Sequence, residues 1–398
     1  LRYASWHYRI GNRMHLVFIS SLVPVAAPAS GYDIANRVIV DALRLLGHKV
    51  SVLGFLQPGH RPAHPDETRL LGTLEVTNAR VGKVQKALWL KDAFVHGEPV
   101  SVAKMHAVTP SEIRSALAQL APVDGLILNS VQLPGAFREI FEAYRSVFVA
   151  HNVEARSAAD NAANAEGWVT RFLFRRDSRL LAELEAGLCA MSDHVFTLAE
   201  ADCAALGVAG DGRSSVLPLV TSVLPPEPKA VRAPVYDAGM IGSWTWAANR
   251  AGLDWFLEQI VPRLPSDFKI AIAGGIAGEA PPAPDTVRFL GRVADARDFV
   301  RSCRVVPLIS RSGTGVQLKT IETFEMGLPS VATGSALRGI SVKPDNCVLA
   351  EDAGDFARSL VEMVGRSRDG QELDRDGRAF HALQLEGLMD ALKRGLQW

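Results

Sequence analysis

Short apolar runs alternate with amphipathic helical patterns in this chain, stop at a proline-rich stretch, and then start again. The first half predicts strands over Met14–Ser20, Val50–Phe55, Val100–Met105, Gly125–Asn129, Ser146–Ala150 and His194–Leu198. Between them, helical spacing predicts helices over Tyr32–Leu46, Ser111–Leu120, Ala136–Tyr144 and Arg171–Ala190. Such alternation specifies a parallel sheet covered by helices. Leu219 to Pro234 carry Pro225, Pro226, Pro228 and Pro234 and no periodicity, which suits a stiff connection over 221–235. The pattern resumes with strands over Ala238–Ile241, Ile270–Ala273, Thr286–Leu290 and Val305–Ile309 and helices over Leu253–Val261, Ala296–Ser302 and Val316–Met326. The expected fold class is α/β: two doubly wound domains, 14–220 and 236–372, facing across a cleft. The tail, Glu372 to Gly395, reads as a helix, and residues 373–398 are expected to pack back on the first domain.

Composition removes several classes. The 398 residues, 48% of them hydrophobic, suffice for two domains with cores. Lys plus Arg and Asp plus Glu are 43 each, so no net charge argues for a nucleic-acid partner. The ten His form no HExxH pair, and Cys189, Cys203, Cys303 and Cys347 form no CxxC pair, so neither a metal site nor a disulfide is expected and a reducing cytoplasm fits. No apolar run reaches membrane-spanning length. The apolar segment Leu16–Ala27 is broken by Ser20, Ser21 and Pro24 and precedes a helix pattern, so it reads as a first strand and not an export signal. Residues 1–13 precede a natural-looking start at Met14 and are set aside.

The densest chemistry lies in Ser310 to Thr333, SRSGTGVQLKTIETFEMGLPSVAT. Gly313 and Gly315 allow close approach of backbone to a ligand, and the helix behind them presents unpaired N–H groups and partial positive charge, a ready phosphate site. Lys319 and Glu322 lie one turn apart, a cation suited to a diphosphate and a carboxylate suited to sugar hydroxyls. The run is one residue from a P-loop: Gly313, Lys319 and Thr320 fit GxxxxGK[ST], but Leu318 stands where the backbone cradle needs Gly. A dinucleotide fingerprint fails at the same position. On local residues alone, a plain glycine turn before a core helix fits equally well. The helix start at the carboxyl end of an apolar strand, with Gly327 and Pro329 closing the helix, favours a site.

The second half resembles a known family. FLGRVADARDFVRSCRVVPLISRSGTGVQLKTIETFEMGLPSVAT is similar to the donor half of retaining glycosyltransferases of the GT-B fold, family 4, in which an E-x7-E motif crosses this helix. The second glutamate corresponds to Glu322; Thr314 stands at the first, a departure shared with a variant carrying GxGxxxK. MIGSWTWAANRAGLDWFLEQIVPRL resembles the donor domain's first strand, loop and helix, with Ser243 after Gly242 where many relatives place Arg, and Arg250 roughly where they place Lys. SSLVPVAAPASGYDIANRVIVDALRLLGHKVSVLGF resembles the acceptor domain's opening, with Gly31 in its loop, and VFVAHNVEARS resembles a strand-end HN-x-E segment that sets His151 toward the cleft.

The resemblance implies two Rossmann-like domains and a retaining, metal-independent transfer of a sugar from a nucleotide-diphosphate-sugar donor to a sugar or lipid-linked sugar acceptor, in cell-surface polysaccharide or glycoconjugate synthesis. No cofactor beyond the donor substrate is expected. Diphosphate contacts are assigned to Gly313, Thr314, Gly315, Val316 and Lys319, ribose hydroxyls to Glu322, and the sugar or acceptor side to His151. Gly31, Gly242 and Ser243 shape the facing loops, with Arg250 a weaker cation. The alternatives are a sugar-nucleotide epimerase, a non-catalytic nucleotide-sugar-binding partner and, given an export signal, a two-lobed binding protein.

Three features carry competing readings. Trp244 and Trp246 read as core, against a wall of the nucleotide pocket. WVTRFLFRRDSR, residues 168–179, fits peripheral contact with an anionic membrane or a lipid diphosphate, but reads more simply as a helix with a buried apolar face and a solvated basic face. Asp374-Arg375-Asp376 matches a DxD metal signature but lies at the polar start of the tail helix and reads as surface charge.

Overall fold

The computed structural model describes residues 13–77, 81–228, 231–276 and 278–397; residues 1–12 of the set-aside segment and 229–230 of the proline-rich stretch lie outside them. The chain divides into two compact units, one comprising the described residues up to Leu217 and from Gly387 onward, the other Pro218–Glu386.

The first unit holds seven strands: β1 (His15–Leu22), β2 (Lys49–Leu56), β3 (Thr68–Thr73), β4 (Gly125–Asn129), β5 (Ser146–Ala150), β6 (His194–Thr197) and β7 (Ser214–Val216). They pair in the order β3-β2-β1-β4-β5-β6-β7, every pair parallel. The helices are α1 (Gly31–Leu45), α2 (Lys83–Val95), α3 (Val100–Ala103), α4 (Pro110–Leu120), α5 (Gln132–Ala136), α6 (Arg138–Phe141), α7 (Glu154–Asn164), α8 (Trp168–Met191) and α9 (Glu200–Ala205). Strands in such a sheet are buried on both faces, and here Val17, Ile19, Leu53, Phe55, Leu126 and Leu128 pack with Ile113, Leu117, Leu133, Phe141 and Leu188. The opposite parity, Leu16, Phe18, Val52 and Ile127, is equally buried. Helix α1 starts on a capping box, with Ser30 accepting from the Asp33 N–H and Asp33 accepting from the Ser30 N–H.

The second unit repeats the plan with six strands: β8 (Tyr236–Ile241), β9 (Ile270–Ala273), β10 (Val287–Gly291), β11 (Cys303–Leu308), β12 (Ser330–Ala332) and β13 (Cys347–Leu349). Their order is β10-β9-β8-β11-β12-β13, again all parallel. Helices α10 (Ala247–Trp255), α11 (Ala296–Arg301), α12 (Leu318–Glu325) and α13 (Ala353–Arg368) belong to it, and α14 (Gly377–Gly395) begins in it. Ala238, Met240, Ile270, Ile272 and Val331 meet Leu253, Phe256, Ile260, Phe356 and Leu360 in its core.

The structure corrects several local readings. Val100–Met105 is no strand: α3 and a 3-10 turn occupy it. Pro99 precedes the helix, its carbonyl accepts from the Val102 and Ala103 N–H groups, and the Asp177 carboxylate takes the Val100 N–H at 3.2 Å, so the β-branched Val100 and Val102 are overridden by their surroundings. Of the helix expected over Ala136–Tyr144 only α6 (Arg138–Phe141) forms, set off from α5, which ends at Ala136, where buried Phe137 leaves helical geometry. The helix expected from Leu253 starts six residues earlier, at Ala247, and continues as a π turn over Phe256–Ile260. Asp374 is not surface charge. The Arg232 Nε and Nη2 atoms donate to its two carboxylate oxygens at 2.6 and 2.5 Å, and the same guanidinium donates to the carbonyls of Cys303 and Arg304.

Both partners of that pair are largely shielded from solvent. Arg232→Ala removes the guanidinium donors from the Asp374 carboxylate and from the carbonyls of Cys303 and Arg304 at the start of β11. It should lower stability by about 3 kcal/mol in urea unfolding. Arg232→Lys should recover only part, because an ammonium cannot reproduce the bidentate fork.

Candidate functional site

In each unit the strand order reverses beside the first strand, between β1 and β4 and between β8 and β11. In open parallel sheets ligands bind at this reversal, beyond the strand carboxyl ends. The sequence-predicted residues lie there.

In the first unit Ser20 nears the end of β1, Asn129 ends β4, and His151 follows directly on β5. Asn129 Nδ2 donates to Asn36 Oδ1 at 2.9 Å and to Ser20 Oγ at 3.1 Å, so its Oδ1 is left to accept from His151 Nε2 at 2.8 Å. The network therefore assigns a ring proton to Nε2. Tyr32 closes the group: its hydroxyl lies 3.1 Å from Ser20 Oγ, and its ring centroid is 5.1 Å from that of His151. His151 is buried, which drives its pKa down to about 4, so the ring is neutral at physiological pH. Gly31 is the exposed first residue of α1, one position before Tyr32. Behind His151, the first N–H groups of α7 lack a side-chain cap of their own. The buried Glu185 of α8 accepts from Glu154 N at 2.6 Å and Ala155 N at 3.3 Å, and burial lifts its carboxyl to about 7.

In the second unit the loops after β8 and β11 converge. Gly313 and Gly315 both take positive φ, 91° and 71°, a conformation that side chains beyond glycine rarely adopt. A side chain on Gly313 would meet the Ala248 methyl at 3.5 Å. Thr314 is buried between them, and Val316 is half-buried. Helix α12 begins at Leu318, two residues later than expected, and Gln317 gives it no side-chain cap. Gly242 packs against Trp244, where an added Cβ would lie 3.3 Å from the indole, and its carbonyl occupies the space that a Cβ on Gly274 would need. Trp244 is core, its indole N–H donating to Ala273 O at 2.8 Å, whereas Trp246 is exposed, contrary to the core reading. Ser243 sits exposed in the loop, with its Oγ 3.0 Å from that of Thr245.

Lys319 is the unusual group. Its ammonium has no hydrogen-bond acceptor or carboxylate partner among the described residues and lies 5.8 Å from the Trp244 ring centroid. Only part of its side chain reaches solvent, and desolvation lowers its pKa to about 8. Glu322 does not pair with it, although both line one small cavity of about 10 Å³ with Met240, Ile241 and Leu308. Instead Arg297 Nε donates to Glu322 Oε1 at 2.9 Å, while Arg297 Nη2 donates to Thr221 Oγ1 at 3.3 Å. Arg250 is matched by Asp254 one turn on, at 2.7 Å, so its charge is already answered.

Sequence reasoning passed over two cations. Arg338 Nε donates to Gly315 O at 3.0 Å, and Nη2 to Ser310 Oγ at 3.3 Å and Ser312 O at 3.4 Å, pinning the glycine turn from outside. Arg297 holds Glu322. Each lies more than twenty residues from its partner, with no motif to mark it. The neutral cluster Ser20, Tyr32, Asn36 and Asn129 was equally silent, since isolated Ser and Asn at strand ends are ordinary. A cavity of about 350 Å³ lies elsewhere in the first unit, between Arg114, Phe137, Arg138 and Leu184, and contains none of the predicted residues.

Residues 236–366 match the model of the family described as Glycosyl transferases group 1. Solved structures share the whole fold. A sucrose-phosphate synthase from Thermosynechococcus elongatus superposes with a TM-score of 0.63 at 15% identity, over 97% of each chain. Anabaena Alr3699/HepE in complex with UDP and glucose gives 0.57 at 12% identity, over 96% of this chain and 99% of that one. The apo structure of OtsA gives 0.56 at 14% identity, over 95% and 96%. At these identities the likeness establishes the two-domain Rossmann-like fold. No curated protein matches the chain.

The titration of His151 has a direction that can be checked. Its folded pKa lies below the unfolded value of about 6.5, so the unfolded chain takes up the proton first and stability falls as pH drops from 6.5 toward 4. The full effect is about 3 kcal/mol. Urea unfolding across this range should show a shallower acid-side loss in His151→Gln than in the parent protein.

Proposed function

We propose that the chain is a glycosyltransferase whose second unit, which carries the group 1 match in a two-domain Rossmann-like fold, binds a nucleotide-diphosphate sugar and donates the sugar to an acceptor hydroxyl. The observation that carries this reading is Lys319: a desolvated ammonium with no ion-pair partner among the described residues, beside a glycine turn and an uncapped helix start. Such a constellation suits an incoming dianion.

The difficult step is departure of the diphosphate from an oxocarbenium-like sugar carbon. Charge develops on the leaving oxygen, where the Lys319 ammonium and the N–H groups of Gly313–Val316 are placed to neutralise it. As the new bond to the acceptor oxygen forms, the hydroxyl proton passes to the departing diphosphate, the base released at the same carbon. His151 is a poor candidate for that proton, because a ring with pKa about 4 is a weak base at neutral pH. Its role is to hydrogen-bond, as a neutral ring, on the sugar or acceptor side. Glu322 meets the ribose hydroxyls, its carboxylate oriented by Arg297. Arg338 is a positioning residue, holding the turn on which the phosphate N–H groups lie. Retention of configuration, metal independence, a sugar or lipid-linked sugar acceptor and a place in surface polysaccharide or glycoconjugate assembly rest on the resemblance of residues 289–333 to family 4.

A thermal-shift screen of nucleotide sugars tests the donor, since a ligand that binds only the folded state raises its melting temperature. UDP-glucose is the first probe, because UDP and glucose occupy the structurally similar Alr3699/HepE. Lys319→Ala should lower kcat by about 10²–10³-fold. Unchanged transfer and donor affinity in both Lys319→Ala and Glu322→Ala would remove the assignment.

Donor affinity should also report the Lys319 pKa. The cation is lost as pH rises through about 8, so the dissociation constant measured by calorimetry should climb above that pH, by up to about tenfold per unit. Lys319→Arg should abolish the climb, because a guanidinium keeps its charge.

A further inference from the structure

The first unit exposes nine large apolar side chains among its described residues, and seven of them lie on two helices. Helix α2 exposes Val84 (76%), Leu88, Phe94 and Val95 (69%). The opening turns of α8 expose Trp168 (80%), Val169 and Phe172 (56%). This corrects the simpler reading of residues 168–179, in which the apolar face of that helix is buried. Only Trp89 and Ala93 of α2 are buried, so that helix rests on the unit by a narrow seam.

The two helices are tied together. Arg176 of α8 donates from Nη2 to Ala93 O at 2.7 Å and from Nη1 to Glu98 O at 2.9 Å, and its guanidinium lies 4.4 Å from the Phe94 ring centroid. Beyond this junction, each helix shows one exposed stripe at spacings of four, three and four residues. On α8 the stripe is Trp168, Phe172, Arg175, Arg179; on α2 it is Val84, Leu88, Lys91, Val95. Lys83, Lys86 and Arg171 flank them and are exposed. Within Lys83–Val95 and Trp168–Arg179 there are seven cations and two carboxylates, on a chain whose net charge is zero. One of those carboxylates, Asp177, is already held by Arg176 at 3.1 Å and by the Val100 N–H.

We propose that α2 and the first half of α8 form a docking surface for an anionic lipid bilayer. Apolar side chains of the stripes enter the headgroup boundary, the indole of Trp168 sits at its polar edge, and Lys and Arg reach the lipid phosphates. Charge complementarity selects this occupant. A protein interface buries a core depleted in charge, whereas here each stripe carries cations in line with its apolar groups, Arg175 and Arg179 after Trp168 and Phe172 on α8 and Lys91 between Leu88 and Val95 on α2. No helix among the described residues is long and apolar enough to cross a membrane, so the contact lies on the surface. The proposal is independent of the transfer reaction.

The test is co-sedimentation of the full chain, without donor or acceptor, with vesicles of phosphatidylcholine alone or mixed with phosphatidylglycerol. Binding is expected to the mixed vesicles only and should weaken at high salt. Arg175→Glu with Arg179→Glu, and separately Trp168→Ser with Phe172→Ser, should each reduce partitioning by about tenfold or more. Lys83→Glu with Lys91→Glu does the same from α2, whose exposed face leaves folding intact should the α8 variants misfold; circular dichroism and the donor thermal shift monitor this. Because these vesicles carry no sugar acceptor, binding to them reports the bilayer and not a lipid-linked substrate. Equal binding to both vesicle types, variants that bind like the parent, or self-association in lipid-free sedimentation velocity that Trp168→Ser with Phe172→Ser abolishes would each overturn the proposal, the last by showing that a second copy covers the face.

Discussion

The candidate site residues of both units hang from the reversal of strand order beside β1 and beside β8. With all strands parallel, their carboxyl ends share one edge of each sheet, and the chain must leave neighbouring strands β1 and β4, or β8 and β11, toward opposite faces. No helix can fill the gap so created; only loops and helix starts border it. Residues that end those strands or open the following helices are thereby held on rigid supports with polar backbone facing outward. Asn129, His151 and Tyr32 occupy such positions in one unit, and Gly242, Gly313 and Lys319 in the other.

The two units answer the burial of polar groups in opposite ways. The first assembles a neutral network. Ser20, Asn36, Asn129 and His151 satisfy one another, and the desolvation that would penalise an imidazolium instead keeps the ring uncharged. That arrangement is rigid and suits recognition of hydroxyl groups, which can both donate and accept. The second unit leaves a charge unanswered. Glu322 has Arg297 and Arg250 has Asp254, but Lys319 forms no ion pair among the described residues. Desolvation is a cost to the folded protein, and the same desolvation strengthens the attraction of the Lys319 ammonium to an anion. The division matches the chemistry proposed for each side: hydroxyl recognition in one unit, diphosphate stabilisation in the other.

How much of this was legible follows from where the determining contacts lie. Central strands such as Gly125–Asn129, Ser146–Ala150 and Ile270–Ala273 announce themselves as continuous apolar runs bounded by turns, because burial on both faces leaves no room for polar residues. The glycine turn and Lys319 were visible because their geometry is local. Val100–Met105 misled because its β-branched residues speak for a strand, while Pro99 and the distant Asp177 decide for a helix. Edge strand β3 and helix α2 escaped notice for the converse reason: with most residues exposed, neither carries the periodicity that burial imposes. Arg338 and Arg297 act across 23 and 25 residues of chain, and Asp374 across 142, so only the folded structure shows that their charges are engaged.

Net charge carries the same lesson at a larger scale. A sum of zero rightly removes a uniformly basic protein from consideration, but it constrains no surface smaller than the whole molecule. Screening confines electrostatic attraction to about 8–10 Å at physiological salt, so a partner senses only the charges within that distance. Seven cations gathered on α2 and the opening of α8 therefore act as a basic surface whatever the remaining residues sum to. That most of the first unit's exposed apolar side chains share those two helices matters more than either count alone. Water-exposed Val84, Leu88, Trp168 and Phe172 bring a hydrophobic penalty that a purely soluble surface has no reason to retain, whereas a surface that exchanges water for headgroups recovers it.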